Sequence, residues 1–327
     1  MSKSCRACHR GMTMVISGEE GVCLDCHGTA ERRDIMVKRG YLKQRAVGYL
    51  ADIDAEVRKP YAHPVRLVRG AHRSNELLPE EEVNAPRHAE CVDCHESHST
   101  DVETPFGGIK GKRVGNLVSQ IEQEFELCYL CHSFSANLPA FSTDKHNEFK
   151  MTNPSFHPVE GEGKREFVVS LLQPYAARKN KPADISTISC SDCHGSDAPD
   201  APGGPHGSIY RGLLKRNYET EDGYPESAFA YALCYTCHDR GSILSNESFS
   251  LHQQHIQGFS PDQPGTSCYT CHDAHGSTMN PYLLTFNQAV VEPTKEGKLE
   301  YKAEGVAAFH GSCTLVCHGV EHNPKTY

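Results

Sequence analysis

The chain has 327 residues, of which 38% are hydrophobic and none is Trp, while Gly and Pro number 27 and 19; mean hydropathy is −0.54. That is little apolar matter for an ordinary core of this length, and it predicts a loop-rich chain or one whose core is not made of side chains. A formal charge of −9 excludes a basic nucleic-acid surface, and no apolar run is long enough to span a bilayer.

In chain order, cysteines come in pairs and each pair ends on a histidine. The first two are Cys5-Arg6-Ala7-Cys8-His9 and Cys23-Leu24-Asp25-Cys26-His27. Residues 30–57, with Ala46, Leu50, Ile53 and Val57 on one stripe, predict a longer helix. Cys91-Val92-Asp93-Cys94-His95 follows, with His98 three residues on. Leu117, Ile121 and Phe125 recur at helical spacing and lead into Cys128-Tyr129-Leu130-Cys131-His132. Next come Cys190-Ser191-Asp192-Cys193-His194 and Cys234-Tyr235-Thr236-Cys237-His238, the latter on a helical stripe of Phe229, Leu233 and Cys237. Cys268-Tyr269-Thr270-Cys271-His272 is again followed at three residues by a histidine, His275. Residues 283–303, where Val290-Val291 and Leu299-Glu300-Tyr301 flank a Pro/Gly-containing turn, predict a β-hairpin. Cys313-Thr314-Leu315-Val316-Cys317-His318 closes the series with one extra residue between its cysteines, and all 16 Cys are then used.

CxxCH is the attachment signature of c-type haem. Two thiols one turn apart reach the two vinyl groups of one porphyrin, and the histidine that follows lies under the iron. CxxxCH does the same with a wider turn. Disulfide pairing requires no trailing histidine, structural zinc takes its ligands in fours, and redox CxxC chemistry accounts for one pair rather than eight. Eight histidines falling at one offset by chance has a probability on the order of 10⁻¹⁰. The expected cofactors are eight covalently bound haems c. Haem attachment occurs outside the cytoplasm, and sixteen paired cysteines fit an exported protein. The expected locations are the periplasm, an outer-membrane complex or the extracellular space, with an export signal removed ahead of Met1.

His9, His27, His95, His132, His194, His238, His272 and His318 are the proximal iron ligands on this reading. Twelve histidines remain, enough for a second imidazole on every iron. We expect His63, His88, His98, His157, His206, His255, His275 and His322 to be the distal ligands. His63 and His157 stand in similar phrases, each before Pro-Val, and His98 and His275 are placed to tie successive haems into pairs. His72, His146, His252 and His310 are left over, with His252 and His310 the close alternatives to His255 and His322. The 6 Met, which as ligands would raise the potential, read as packing or terminal residues. The fold expected is mostly irregular, with short α-helices and few β-hairpins wrapped around a chain of eight stacked haems. It forms one domain, 1–327, with a weak internal duplication of about 1–115 and 116–327.

Cys91-Val92-Asp93-Cys94-His95-Glu96-Ser97-His98, Cys268-Tyr269-Thr270-Cys271-His272-Asp273-Ala274-His275-Gly276-Ser277 and the C-terminal phrase from Cys313 through His318, His322-Asn323-Pro324-Lys325 and Tyr327 resemble the multihaem cytochromes with doubled CxxCH motifs common in metal-reducing bacteria. The resemblance covers nearly the whole chain and is least typical over 28–87. It implies stacked low-spin haems that relay electrons through the periplasm or across the outer membrane. Some such proteins polymerise into extracellular filaments. The partners implied are other redox proteins, extracellular electron acceptors or further copies of the chain.

The expected function is therefore electron conduction rather than catalysis, because an iron with two imidazoles has no position for a substrate. The rival is an octahaem reductase or oxidase of a small nitrogen or sulfur compound with one open iron. No CxxCK variant marks such a site; His146 and His72 would be its first acid–base suspects. A storage role conflicts with covalent attachment. With the propionates ionised, the charge of −9 becomes about −17 oxidised and about −25 reduced, so docking of partners should depend on salt.

Overall fold

The computed structural model describes residues 5–10, 13–14, 20–66, 88–100, 103–134, 137–138, 142–165, 167–176, 185–260, 263–303 and 310–327. His72 lies outside them. Short helices and small antiparallel sheets carry the described chain, and they form no barrel. Two compact units divide it: Met1–Asp144 with Ser189–Arg216, and Lys145–Ile188 with Asn217–Tyr327.

In the first unit, Cys91–Cys94 and Cys190–Cys193 are single helical turns. Their form follows from the residue before the second cysteine. Asp93 and Asp192 reach back to the backbone N–H of Glu90 and Ser189, at 2.7 and 2.8 Å, closing capping boxes that satisfy donors a short helix leaves open. The histidine after each turn is extended, with φ −111° at His95 and −100° at His194. It leaves the helix into an antiparallel bridge, His95 to Ile109 and His194 to Leu214. The second cysteine of each motif is pinned by the same loop: Lys110 N–H donates to Cys94 O at 2.9 Å and Lys215 N–H to Cys193 O at 2.8 Å.

The helix Glu124–His132 carries Cys128, Cys131 and His132. Its stripe does not begin at Leu117, as spacing predicted. Leu117 lies in the strand Asn116–Val118, paired with Gly111–Arg113 across a turn in which Gly115 takes φ +80°. The first helical turn is instead built by Glu126, buried, which accepts the backbone N–H of Glu122 and Gln123 and the guanidinium of Arg113. The long helix predicted over 30–57 is also broken. It becomes Ala30–Lys38, a 3-10 helix Gln44–Tyr49 and a turn Ile53–Glu56. Gly40 at φ +72° ends the first piece, Leu50 is extended, and Asp52 caps the last by accepting Ala55 N–H at 3.1 Å.

The strand Tyr61–Ala62 pairs with Gly207–Ser208. A Cβ on Gly207 would stand 1.9 Å from the carbonyl oxygen of Glu56. We expect Gly207→Ala to cost about 1–3 kcal/mol through this overlap, seen as a lowered thermal midpoint with haem content unchanged.

The second unit repeats the device. Ser155–Phe156 pairs with Gly276–Ser277, and a Cβ on Gly276 would meet the Glu148 carbonyl oxygen at 2.1 Å. Its core is Ala230, Tyr231 and Ile256, with Tyr218, Cys234 and Cys268 packed against them. Bridges from Leu171 to His238 and from His272 to Leu284 repeat the treatment of the motif histidines. The hairpin predicted over 283–303 does not close on itself. Val291–Glu292 and Glu300–Ala303 both pair with the longer strand Gly311–Cys317, which also pairs with Val320–Thr326. That strand has the β-branched Thr314 and Val316 and the buried Leu315, and offers both segments a better partner than each other.

Candidate haem-binding sites

Seven of the eight cysteine pairs lie on a helical turn: Cys5–Cys8, within Glu20–His27, Cys91–Cys94, within Glu124–His132, Cys190–Cys193, at Cys234–Thr236 and Cys268–Cys271. Burial raises the Cys94 thiol to about 11 and the Cys271 thiol to about 12. Among the described residues, the one group of His, Cys, Asp and Glu whose ligand atoms converge is Glu148, Asp273 and His275, which contains no cysteine.

The histidines meet in facing pairs. Ring centres stand 5.8 Å apart for His9 and His98, 6.3 Å for His132 and His63, and 6.3 Å for His95 and His206. In the second unit they are 6.4 Å apart for His238 and His157, and 6.5 Å for His272 and His252. Two imidazoles bound to opposite sides of one metal, each at a metal–nitrogen distance of about 2 Å, have ring centres roughly 6 Å apart. Each pair joins a motif histidine to one outside the motifs. Four of the five outside partners are His63, His98, His157 and His206. The fifth is His252, where spacing had favoured His255.

Protonation fits as well. Nδ1–H of His63 donates to Pro205 O at 2.7 Å, that of His194 to Gly212 O at 2.8 Å, and that of His272 to Tyr282 O at 2.9 Å. His157 donates likewise to Ala274 O. A carbonyl only accepts, so the proton is on Nδ1 and the Nε2 lone pair is free for iron. Gly212 and Tyr282 take φ +73° and +62° to aim those carbonyls, a conformation that costs a non-glycine residue such as Tyr282 about 1–3 kcal/mol. Burial lowers His206, His238 and His252 to about 4, and lowers His27, His63, His95, His157 and His272 too. Neutral imidazoles are what ferric iron requires. The five helical motifs ending at His9, His95, His132, His238 and His272 therefore fit a haem held by two imidazoles.

The surroundings of the other histidines are as follows. His88 is half-buried, with its Nε2 4.0 Å from Glu90. His255 donates to Leu251 O at 2.8 Å and lies tilted against Phe249 and edge-on to Tyr327. His322 is hydrogen bonded to the Tyr327 hydroxyl at 2.9 Å, and His310 donates to Tyr327 O at 3.0 Å. His275 has its Nδ1 3.2 Å from Asp273 and 3.3 Å from Glu148. His146, set aside on spacing alone, has its Nδ1 2.7 Å from Glu160.

The eighth motif departs from the rest. Cys313 and Cys317 lie in a strand, not a wide turn, so their α-carbons are up to about 13 Å apart at 3.3 Å per residue. His318 takes φ +49°, and its Nε2 is 2.6 Å from Asp222, whose carboxylate also accepts Thr266 and Thr270. As folded, this motif does not fit a haem.

Thiols of successive motifs meet. Cys128 is hydrogen bonded to Cys190, which with burial raises it, and Ser191 ties the two helices by donating its N–H and hydroxyl to Glu124 at 2.7 Å each. Cys234 and Cys268 are hydrogen bonded in the second core. Nothing in residue spacing announced these contacts.

A family model described as outer membrane cytochrome MtrC/MtrF-like, domains II/IV, matches residues 115–282, half of the chain and four of its motifs. No curated protein and no solved structure matched in the corresponding searches.

Proposed function

Because the chain belongs to the outer membrane cytochrome MtrC/MtrF-like family, domains II/IV, a family of multihaem electron-transfer cytochromes, we propose that it is an exported octahaem c-type cytochrome that conducts electrons through closely spaced bis-histidine haems. The observation that carries this reading is the set of five facing imidazole pairs. Each bound haem supplies a one-electron iron couple. The chain's own residues do the rest. Paired cysteines would hold the porphyrins through thioether bonds, facing histidines would supply two nitrogens to an iron and leave no place for a substrate, and backbone carbonyls hold the imidazoles in one tautomer. Contacts between Cys128 and Cys190, and between Cys234 and Cys268, bring the anchored edges of successive porphyrins together. The recurring placement of His63 with His206 and of His157 with His275, each around a Gly-Ser strand, supports an internal duplication. Its partners are other redox proteins or extracellular acceptors, and no described helix is long and apolar enough to cross a membrane.

The test is the intact mass of the mature holoprotein with low-temperature EPR of its ferric form. Eight haems, all low-spin, are expected. The eighth requires the strand Gly311–Cys317 to refold around it, so a mass of seven haems corrects the count, and peptide mapping of Cys313 and Cys317 then tests whether the gap is there. Several empty motifs, or ferric haems mostly high-spin, would sink the conduit. One stoichiometric high-spin haem favours the second reading, a reductase of a small nitrogen or sulfur compound. The observation behind that alternative is His318, held by Asp222 instead of another imidazole. Polymerisation into a conducting filament is a further form of the proposal; micrographs showing only dispersed particles at high concentration count against it.

A further inference from the structure

The histidines divide by what stands at Nδ1. Backbone carbonyls accept the Nδ1–H of His63, His157, His194 and His272. Carboxylates stand there for His98, where Glu96 is 3.5 Å away, and for His275, flanked by Asp273 at 3.2 Å and Glu148 at 3.3 Å. In both cases the acid directly follows a motif histidine and precedes the second histidine by two residues. The two sites differ in exposure. The His98 and Glu96 side chains are 76% and 42% exposed, against 31% for His275 and 11% for Glu148. Phe149 sits edge-on to the His275 ring at 5.4 Å. Lys145 Nζ is 2.7 Å from Glu148, so the two acids and the lysine together leave one negative charge beside the imidazole. Asp273 Oδ1 also accepts the backbone N–H of His275 at 2.8 Å, fixing acid and ring together.

We propose that Asp273, backed by Glu148, is an electrostatic positioning residue for His275 that lowers the reduction potential of the iron His275 ligates. The inference rests on the proposed ligation by His275. A carboxylate holding Nδ1–H makes the imidazole a stronger donor, and a stronger donor favours ferric iron over ferrous. The low local dielectric magnifies the effect. Reduction adds one electron and breaks no bond; the Nδ1 proton stays between ring and acid. Glu96 does the same for His98 more weakly, because water screens it.

The experiment is a potentiometric titration of the full-length holoprotein, followed by haem absorbance. Asp273→Asn keeps an amide oxygen for both N–H groups and removes the charge. It is expected to raise one component of the titration by at least tenfold in its reduction constant, 59 mV for one electron. Glu148→Gln, which leaves the turn at Asp273 untouched, should move the same component in the same direction, and Glu96→Gln should shift a different component by less. His275→Ala separates the premise from the inference. A new high-spin haem in that variant establishes the ligand; titration curves unmoved by Asp273→Asn and Glu148→Gln then overturn the tuning. A His275→Ala protein with unchanged spin state and potentials overturns the ligation and the tuning with it.

Discussion

Replacing His252 by alanine is expected to turn one low-spin ferric haem per molecule into a high-spin one, with the others unchanged. His252 faces His272 at 6.5 Å between ring centres. Burial holds it neutral by lowering its pKa to about 4, and its Nδ1 lies 3.2 Å from the Ser248 hydroxyl. Removing the ring would take away one of the two nitrogens offered to the iron, while thioether bonds to Cys268 and Cys271 would keep the porphyrin from leaving. Low-temperature EPR reads the spin change, and carbon monoxide binding by the reduced variant, at one equivalent, provides a second readout. His255, one helical turn on, donates its Nδ1 proton to Leu251 O within the same helix. A low-spin, carbon-monoxide-silent His252→Ala protein would return the sixth ligand of this haem to His255.

Glu126→Ala is expected to destabilise the first unit by about 2–4 kcal/mol. One side chain accepts two backbone donors at the start of Glu124–His132 and also the Arg113 guanidinium. Alanine orphans those donors beside the helix that presents Cys128, Cys131 and His132. Arg113 is partly exposed and turns to water, which keeps the loss below that of a fully buried pair. The effect has a defined pH dependence. Hydrogen bonding to Arg113, foremost among the causes, holds the Glu126 carboxyl below its ordinary range. A lowered folded-state pKa gives stability that is present above the unfolded value, about 4.3, and is lost as pH falls through the folded value. The difference between wild type and variant in urea midpoint should be full at neutral pH and shrink in acid. A gap that stays constant down to pH 3 would assign the effect to packing alone.

The proposed attachment motifs were legible because thioether chemistry fixes residue type and spacing together. The structure adds why Asp stands before the second cysteine at Asp93 and Asp192: it closes a capping box on a single turn. The likeness of the phrases around His63 and His157 corresponds to one arrangement built twice, each histidine following a short strand paired with a Gly-Ser segment. What spacing could not resolve was choice among near neighbours. His252 and His255 are three residues apart on one helix and lie on the same side of it, so only the position of His272 separates them. The stripes over 30–57 and 117–125 failed for a related reason. In a chain with few core side chains, local events outweigh apolar periodicity: Gly40 and Gly115 at positive φ, and caps at Asp52 and Glu126. At 283–303, Gly311–Cys317 outcompeted a local turn by pairing with both arms.

The first compact unit is assembled from two separate stretches of chain, Met1–Asp144 and Ser189–Arg216. In a chain exported N-terminus first, residue 144 emerges before Ser191 is there to grip Glu124, and before Gly207–Ser208 is there to pair with Tyr61–Ala62. The emerging segment therefore waits incomplete while 44 further residues, Lys145 through Ile188, which belong to the other unit, come through. Early cysteine pairs stay accessible during that wait, which favours attaching prosthetic groups to a still-open chain. It also means that no contiguous fragment of the polypeptide reproduces either unit, so the two are inherited, truncated or shuffled only together.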